Sequence, residues 1–353
     1  MKAHNLSPLI GIMTSQKADG TIAGNGPLFT ELQKKLISLN GISFVFIPED
    51  AAEKYIIGYT YSPEDNRWLK KRFPYPDLVY NRIPFRKSEQ NEQSQNFFSI
   101  LKERNIPFFN PCFIDKYELY QLLKNHDLLK QYLPQTILVN HKKGLFSFLN
   151  KYKEIYLKPR QSSKGKGIFR LRMTDFSRIA LEGINKQESY KSFHHFWDHW
   201  NKMLLEKNYL AQEEIKSAEY EGDRFDFRIL AHANHEDYVL TGVGIRQSHE
   251  QAVTTHIPAG GRLLPYKLLQ SDEHDQFFQT IVPHVGKALS DQFGYFGEFS
   301  IDAGVSKTGQ YYLYEVNSKP MSFDETEIEE GKIEQLCHLF MQLAGFRNDQ
   351  NSI

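Results

Sequence analysis

Ser300-Ile301-Asp302-Ala303, followed after Gly309 by Tyr314-Glu315-Val316-Asn317-Ser318-Lys319-Pro320, is the stretch that decides the reading of this chain. Alternation over 299–305 and 310–316 predicts two strands, with Lys307-Thr308-Gly309 as the turn between them. A two-residue loop at Thr308-Gly309 sets Asp302 opposite Glu315 and Ser300 opposite Asn317. A three-residue loop with a glycine bulge shifts that pairing by one residue. Facing residues on neighbouring strands have Cβ atoms roughly 5 Å apart, where like charges destabilise a sheet. Two carboxylates so placed, with an amide oxygen on the same face, point to a hard cation held between them. A solvated polar sheet face is the competing reading.

Outward from the hairpin, 353 residues are long for one domain and fit two or three packed subdomains. Apolar residues make up 40%, enough to fill their cores. Lys plus Arg equals Asp plus Glu at 43 each, so no global field recruits nucleic acid or a membrane, and any basic function is local. Cys112 and Cys337 match no metal-ligand spacing and fit a reduced, intracellular protein. The apolar run 8–13 is too brief for a signal-peptide core, and no run approaches a membrane span. The expectation is a soluble, cytoplasmic protein without membrane insertion. Tyr and Phe are scattered rather than interleaved with basic runs, which argues for core packing and against base stacking.

Strands at 9–14, 42–47 and 78–80 alternate with helices at 29–39 and 92–104, predicting a small open α/β domain over 1–111. The loop after its first strand, 15–25, sits where such sheets bind ligands but lacks a dinucleotide fingerprint. Beyond Asn110-Pro111 the pattern predicts a helix from Asp115-Lys116 to about 130, and a strand over 133–139. A helix over 143–152 and strands over 154–158 and 168–172 follow. The polar stretch 174–190 reads as a surface loop. Next come a helix over 192–206, strands over 209–215, 225–233 and 238–247, and a loop over 249–262 with Gly260-Gly261. Helices over 275–293 and 327–343 bracket the hairpin. The division is 1–111, 112–345 and a tail over 346–353.

Between two of these strands lies Lys158-Pro159-Arg160-Gln161-Ser162-Ser163-Lys164-Gly165-Lys166-Gly167. Small residues let backbone N–H groups approach an anion, and lysines add compact positive charge. It is not a Walker loop, and its placement suits a flap over a triphosphate; a plain surface turn is the alternative. Gln212-Glu213-Glu214-Ile215 ends a strand with the acceptor and donor an adenine edge needs, or is an ordinary strand end. Asp226 and Arg228 share a strand face, where the guanidinium fits phosphate or carboxylate, or the two form a structural ion pair. His195 and His199 stand four apart on a helix without a third ligand, so their aromatic neighbours read as a packing stripe. Arg82 and Arg86 could bind an acidic substrate, but surface charge is the favoured reading.

Taken together, these pieces resemble the ATP-grasp family over roughly residues 112–345, with the preceding α/β domain as its usual N-terminal lobe. The matches are Lys116, Lys158 in Tyr-Leu-Lys-Pro, the Gly-rich flap near 160–168, 212–215, Asp226-x-Arg228, Asp302 and Glu315-Val316-Asn317. Within it the chain looks most like the YheC/YheD-type endospore-coat-associated proteins. The cues are the opening Ile-Gly-Ile-Met-Thr, Tyr80-Asn81-Arg82-Ile83-Pro84, and Phe109-Asn110-Pro111 before Asp115-Lys116. The resemblance implies an ATP-grasp fold that binds Mg·ATP and ligates a carboxylate to an amine or thiol through an acyl phosphate. It places Lys116 and Lys158 on the α- and β-phosphates, and Gln161, Ser162, Ser163, Lys164, Gly165 and Gly167 over the β- and γ-phosphates. Gln212, Glu213, Glu214 and Ile215 would hold adenine, and Glu221 the ribose. Asp302, Glu315 and Asn317 would hold one or two Mg²⁺, with Mn²⁺ as a substitute, and Arg228 and Lys158 would carry the catalysis. His256 stands four residues before the Gly pair where relatives often have Asn, which puts the substrate end in question. A nucleotide-binding structural protein of the spore coat, with coat proteins as partners, is the other function the resemblance suggests.

Overall fold

Three six-stranded sheets organise this computed structural model, which describes residues 7–161, 166–174, 178–248 and 260–345. The first is built from β1 (Leu9–Met13), α1 (Gly26–Ser38), β2 (Ile42–Phe46), β3 (Ile56–Ser62), β4 (Arg67–Phe73), β5 (Leu78–Asn81), α2 (Arg86–Glu89), α3 (Glu92–Glu103) and β6 (Phe108–Phe109). Its strand order is β4-β3-β2-β1-β5-β6. The strands β2, β1, β5 and β6 run parallel. Their nearly continuous burial is what a parallel sheet covered on both faces requires. The antiparallel hairpin of β3 and β4 was absent from the sequence reading, because β4 (Arg-Trp-Leu-Lys-Lys-Arg-Phe) is a mostly exposed edge strand with no buried alternation.

The middle sheet follows α4 (Lys116–Lys124) and contains β7 (Thr136–Leu138), α5 (Lys142–Tyr152), β8 (Glu154–Pro159), β9 (Phe169–Met173), β10 (Ile179–Gly183), β11 (Lys186–Tyr190), α6 (Phe193–Glu206) and β12 (Tyr209–Glu213). Its antiparallel order is β11-β10-β9-β8-β12-β7, and its core joins Leu145 and Leu149 of α5 to Ile155, Leu171, Phe196 and Trp200. The stretch read as a surface loop over 174–190 instead supplies β10 and β11. Ile179 and Leu181 are buried at a two-residue period, while the polar residues face outward. The helix expected to reach 130 stops at Lys124. There the His126 ring accepts from Leu128 N (3.2 Å) and Leu129 N (3.3 Å), starting a separate 3₁₀ turn over Leu129–Tyr132.

The third sheet comprises β13 (Glu219–Tyr220), β14 (Asp223–Asn234), β15 (Asp237–Gln247), β16 (Arg262–Leu264), then, after α7 (Asp272–Phe293), β17 (Glu298–Val305) and β18 (Tyr311–Asn317). α8 (Thr326–Leu343) closes the order of elements. The strands run β16-β15-β14-β17-β18, with β13 on β14. One apolar cluster runs from Ile10 and Tyr80 in the first sheet through Phe109 to Phe299 and Ile301 of β17 and Leu336 and Phe340 of α8. It fixes the first sheet against the third. Arg82 corrects its surface-charge reading: it is 8% exposed, donating to Glu298 Oε2 (3.2 Å) and to the Pro320 carbonyl (3.0 Å). Arg86 likewise donates to the carbonyls of Phe113 and Ile114 (2.9 and 2.8 Å) rather than facing a ligand.

Candidate functional site

The hairpin β17–β18 places Asp302 opposite Glu315 and Ser300 opposite Asn317, as the sequence suggested, but by another route. Its loop has three residues: Ser306 N donates to Gln310 O (2.8 Å), Gly309 N donates to Ser306 O (2.9 Å), and Gly309 has φ 82°. Near the turn the pairing is therefore shifted, with Val305 facing Tyr311 and Ala303 facing Leu313. A bulge at Tyr314 then puts two residues against one and restores the pairing of the two acids.

A cleft of about 570 Å³ lies between the middle and third sheets. Lys116, Lys158, Gln212 and Glu315 converge on it, and Leu119, Leu133, Leu210, Leu313 and Val316 supply apolar walls. Such a mixture suits a flat heterocycle joined to a charged tail. Asp115 caps α4, accepting from Tyr117 N (2.9 Å) and Glu118 N (3.1 Å), and Arg160 Nε fixes that carboxylate at 2.8 Å to both oxygens. Lys116 is thereby aimed into the cleft, where it is ion-paired with Glu315 Oε1. Lys158 Nζ donates to Gln212 Oε1 (2.5 Å), whose amide donates to Thr136 Oγ1 (3.1 Å).

These charges perturb one another. Burial pushes Lys158 down to about 8, against the opposing pull of Glu315, Asp226 and Asp302. Burial also raises Glu315, but Lys116 and Lys158 outweigh it and hold the carboxyl below its ordinary range. Asp302 is raised, first by burial and then by Glu315, with Arg228 pulling the other way. Asn317 Nδ2 donates to Asp302 Oδ2 (3.3 Å). Arg228 stands directly across from Asp302 on β14, donates from Nη2 to the Met321 carbonyl (3.1 Å) and keeps its Nε buried without a partner. Two acids and an amide form a partial oxygen set, the kind Mg²⁺ uses when phosphates and water complete its shell. Among the described residues no group of three His, Cys, Asp or Glu forms a complete cage. The donor set fits a nucleotide-borne cation.

Of the flap, Ser162, Ser163, Lys164 and Gly165 lie outside the described residues, as does His256. Gln161 is exposed at its near end. Gly167 has φ 75°, and a Cβ there would lie 2.9 Å from Pro159 Cγ, while its carbonyl accepts from Tyr209 OH (3.0 Å). Glu213, Glu214 and Ile215 line the far side of the hinge, in a second hollow of about 490 Å³ with Lys216 and Tyr312. Glu213 Oε1 accepts from Gln135 N (2.7 Å), and Glu214 pairs with Arg170 (3.4 Å) and Lys216 (3.4 Å), so their side chains are engaged by the protein. Glu221, at φ 53° in the turn between β13 and β14, pairs with Arg262 (3.3 Å) and does not line the main cleft. His195 and His199 face outward on α6, whose Phe193, Phe196 and Trp200 are buried.

Sequence reasoning missed a closed ionic cluster beneath the site. Glu298 accepts from Tyr80 OH (2.6 Å) and Arg82, with Lys332 Nζ at 3.4 Å and His232 Nε2 at 3.8 Å. Nearby, Lys319 is paired with Glu89, and burial pushes it down to about 8. The two-residue offset of Glu298, Ser300 and Asp302 was the available signal, since it puts all three on one face of β17.

A family model described as YheC/D like ATP-grasp matches residues 105–346. Over 337 residues, 90% of this chain and 73% of the relative, the chain is 26% identical to endospore coat-associated protein YheD of Bacillus subtilis (strain 168). Over 295 residues, 79% of this chain and 81% of the relative, it is 24% identical to endospore coat-associated protein YheC of the same organism. Its fold is similar to that of the ATP-grasp ligase PsnB complexed with minimal precursor, Mg and ADP (TM-score 0.55, 14% identical, 95% of this chain and 97% of that one). It is also similar to D-alanyl-alanine synthetase A from Vibrio cholerae O1 biovar eltor str. N16961 (TM-score 0.55, 11% identical, 96% and 98%). The fold is thus ATP-grasp, with mixed helices and sheets, and the chain belongs to the YheC/D-like ATP-grasp family.

Proposed function

We propose that this protein is an ATP-dependent ligase that activates a carboxylate as an acyl phosphate and passes it to an amine or thiol. The observation that carries this reading is the convergence of Lys116, Lys158, Gln212 and Glu315, from four separate elements, on one partly apolar cleft beside Asp302 and Arg228. Residues 1–111 form the N-terminal domain in this reading, and 112–345 the nucleotide domain.

Lys116 and Lys158 bind the α- and β-phosphates, and the loop from Gln161 to Gly167 covers the β- and γ-phosphates. Gln212, with the backbone of 213–215, holds adenine, and the ribose falls to Glu221, which is paired with Arg262. Asp302, Glu315 and Asn317 hold one or two Mg²⁺, replaceable by Mn²⁺, which neutralise phosphate charge. Lys116 exchanges its partner Glu315 for phosphate as the nucleotide enters. Arg228, with its unpartnered Nε, stabilises the transferred phosphoryl group and then the acyl phosphate. Catalysis of such transfers is positioning and charge neutralisation, so no side-chain nucleophile is needed. ADP release from Mg·ATP with pooled carboxylates and amines tests this. Wild-type release that vanishes in Lys158→Ala and Glu315→Ala is expected, and undiminished turnover in either variant overturns the assignment.

The names of the two curated relatives favour a second reading, an ATP-liganded assembly protein of the spore coat. It is distinguished by Mg·ATP raising the melting temperature while no carboxylate or amine elicits ADP.

A further inference from the structure

Next to Arg228 in the third sheet's row stands a carboxylate that none of these roles uses. The third sheet carries a row of facing residues across four strands: Gly244 on β15, Arg228 on β14, Asp302 on β17 and Glu315 on β18. The first position has no side chain of its own. A Cβ built on Gly244 would lie 2.5 Å from Glu325 Oε1, so the Glu325 carboxylate fills the place that side chain would take. The connection from β18 to α8 delivers it there. The carbonyl of Met321 accepts from Arg228, Phe323 lies 4.5 Å under the Arg228 guanidinium, and Glu325 follows at the N-terminus of α8. Glu325 Oε1 is buried and accepts no hydrogen bond, nor does the side chain cap the helix. Arg246, two residues along β15 from Gly244, lies within reach of the Glu325 charge, and among the described residues the two form no ion pair.

A buried acceptor without a donor carries a desolvation cost that a ligand donor removes. The row orders the chemistry. Glu315 and Lys116 mark the nucleotide end, Asp302 the phosphates, and Arg228 the transferred group. Glu325 lies beyond, over Gly244, whose backbone stands two strand spacings or about 10 Å from that of Asp302. We propose that Glu325 is the binding site of the attacking nucleophile and that this nucleophile is an amine, which arrives as an ammonium ion. The inference rests on the ligase reading and narrows it. A carboxylate attracts an ammonium ion, whereas beside a thiol it disfavours the reactive thiolate. In the coupling step the ammonium gives one proton to Glu325 and its nitrogen lone pair attacks the acyl carbon. The bond from carbon to the phosphate oxygen breaks, phosphate leaves with the electron pair, and the second nitrogen proton passes to that phosphate, leaving a neutral amide.

The test is calorimetric titration of the full chain, saturated with Mg²⁺ and a non-hydrolysable ATP analogue, with methylamine, ethylenediamine, glycine, L-lysine and 2-mercaptoethanol. At least one amine is expected to bind wild type. Glu325→Gln should weaken that amine at least tenfold more than it weakens the ATP analogue. Gly244→Ala, which displaces the carboxylate while keeping its charge, should do the same, so misfolding of one variant does not end the test. Absence of amine binding, equal binding by the variants, or preference for the thiol overturns the proposal. Trapping of wild type with hydroxylamine, neutral at pH 7, reports acyl-phosphate formation separately. Amine binding lost in Glu325→Gln without any hydroxamate sinks the ligase reading and leaves the amine site standing. Hydroxamate formed alongside amine binding that ignores Glu325 does the reverse.

Discussion

Glu298 and Asp302 sit four residues apart on one face of one strand, yet they are opposite kinds of acid. Glu298, His232 and Lys332 are 0% exposed, and the carboxylate is ringed by a phenol, a guanidinium, an ammonium and an imidazole. Burial pushes Glu298 up, but Lys332, Arg82 and His232 overcome it and bring it down to about 2. Asp302 is raised, with a second carboxylate directly across the ladder. The first acid is surrounded by countercharges from the first sheet, the third sheet and α8. The second keeps a like charge beside it, a cost a fold tolerates where a ligand will reverse it. Charge in this strand therefore changes setting within two turns of the pleat: Glu298 is ringed by cations, whereas Asp302 faces a second acid.

The contrast is breakable. The largest effect should come from Glu298→Ala, which strands Arg82 and Lys332 without their anion. It is expected to cost about 3–5 kcal/mol of stability, read by denaturant unfolding. A loss below about 1 kcal/mol would make the cluster incidental. Lys158→Ala should do the reverse, lowering turnover by about 10²–10³-fold while leaving the unfolding midpoint near wild type, on the scale of removing one transition-state donor.

Acid titration sharpens the difference further. His232 is pushed down to about 4 by burial, against an ordinary 6.5, and Glu298 sits at about 2 against 4.5. Between 6.5 and 4 the unfolded chain binds a proton that folded His232 refuses. Between 4.5 and 2 the same holds for Glu298. Both lowered values make stability fall as the pH falls through those windows. Melting temperature should drop below pH 6.5 and more steeply below 4.5, with the lower phase flattened in Glu298→Gln. The smallest effect is at the other end of the scale. Because Lys158 is at about 8 before nucleotide binds, Mg·ATP affinity should decline by up to about tenfold as pH rises from 7 to 9, measured by titration calorimetry. Lys158→Arg should remove that slope.

How far the sequence could be read follows the same division. The open site was legible because its residues carry chemistry at fixed local spacing: Asp302 and Glu315 across one hairpin, Lys158 before its Gly-rich loop, Lys116 after its capping Asp115. The closed cluster was not, since Tyr80, Arg82, His232, Glu298 and Lys332 meet only after two sheets and a helix have packed. Arg82 was misread for that reason. A strand-end arginine looks exposed until its buried partner, more than two hundred residues away, is known. Polarity alone hid β10 and β11, whose outward faces outnumber the buried Ile179 and Leu181. The hairpin offered a subtler clue. Leu313 and Val316 are both buried, and that three-residue interval betrays a bulge that strict alternation would not allow.

That bulge makes the hairpin tolerant of length change in an uneven way. Tyr314 is the one residue without a cross-strand partner, so removing it would straighten the ladder and still leave the two acids facing each other. What would go is one wall of the cleft, which Tyr314 lines. A chain one residue shorter at this position would keep its two facing acids while losing one wall of the cleft, so in the ligase reading a single deletion separates cation binding from nucleotide binding.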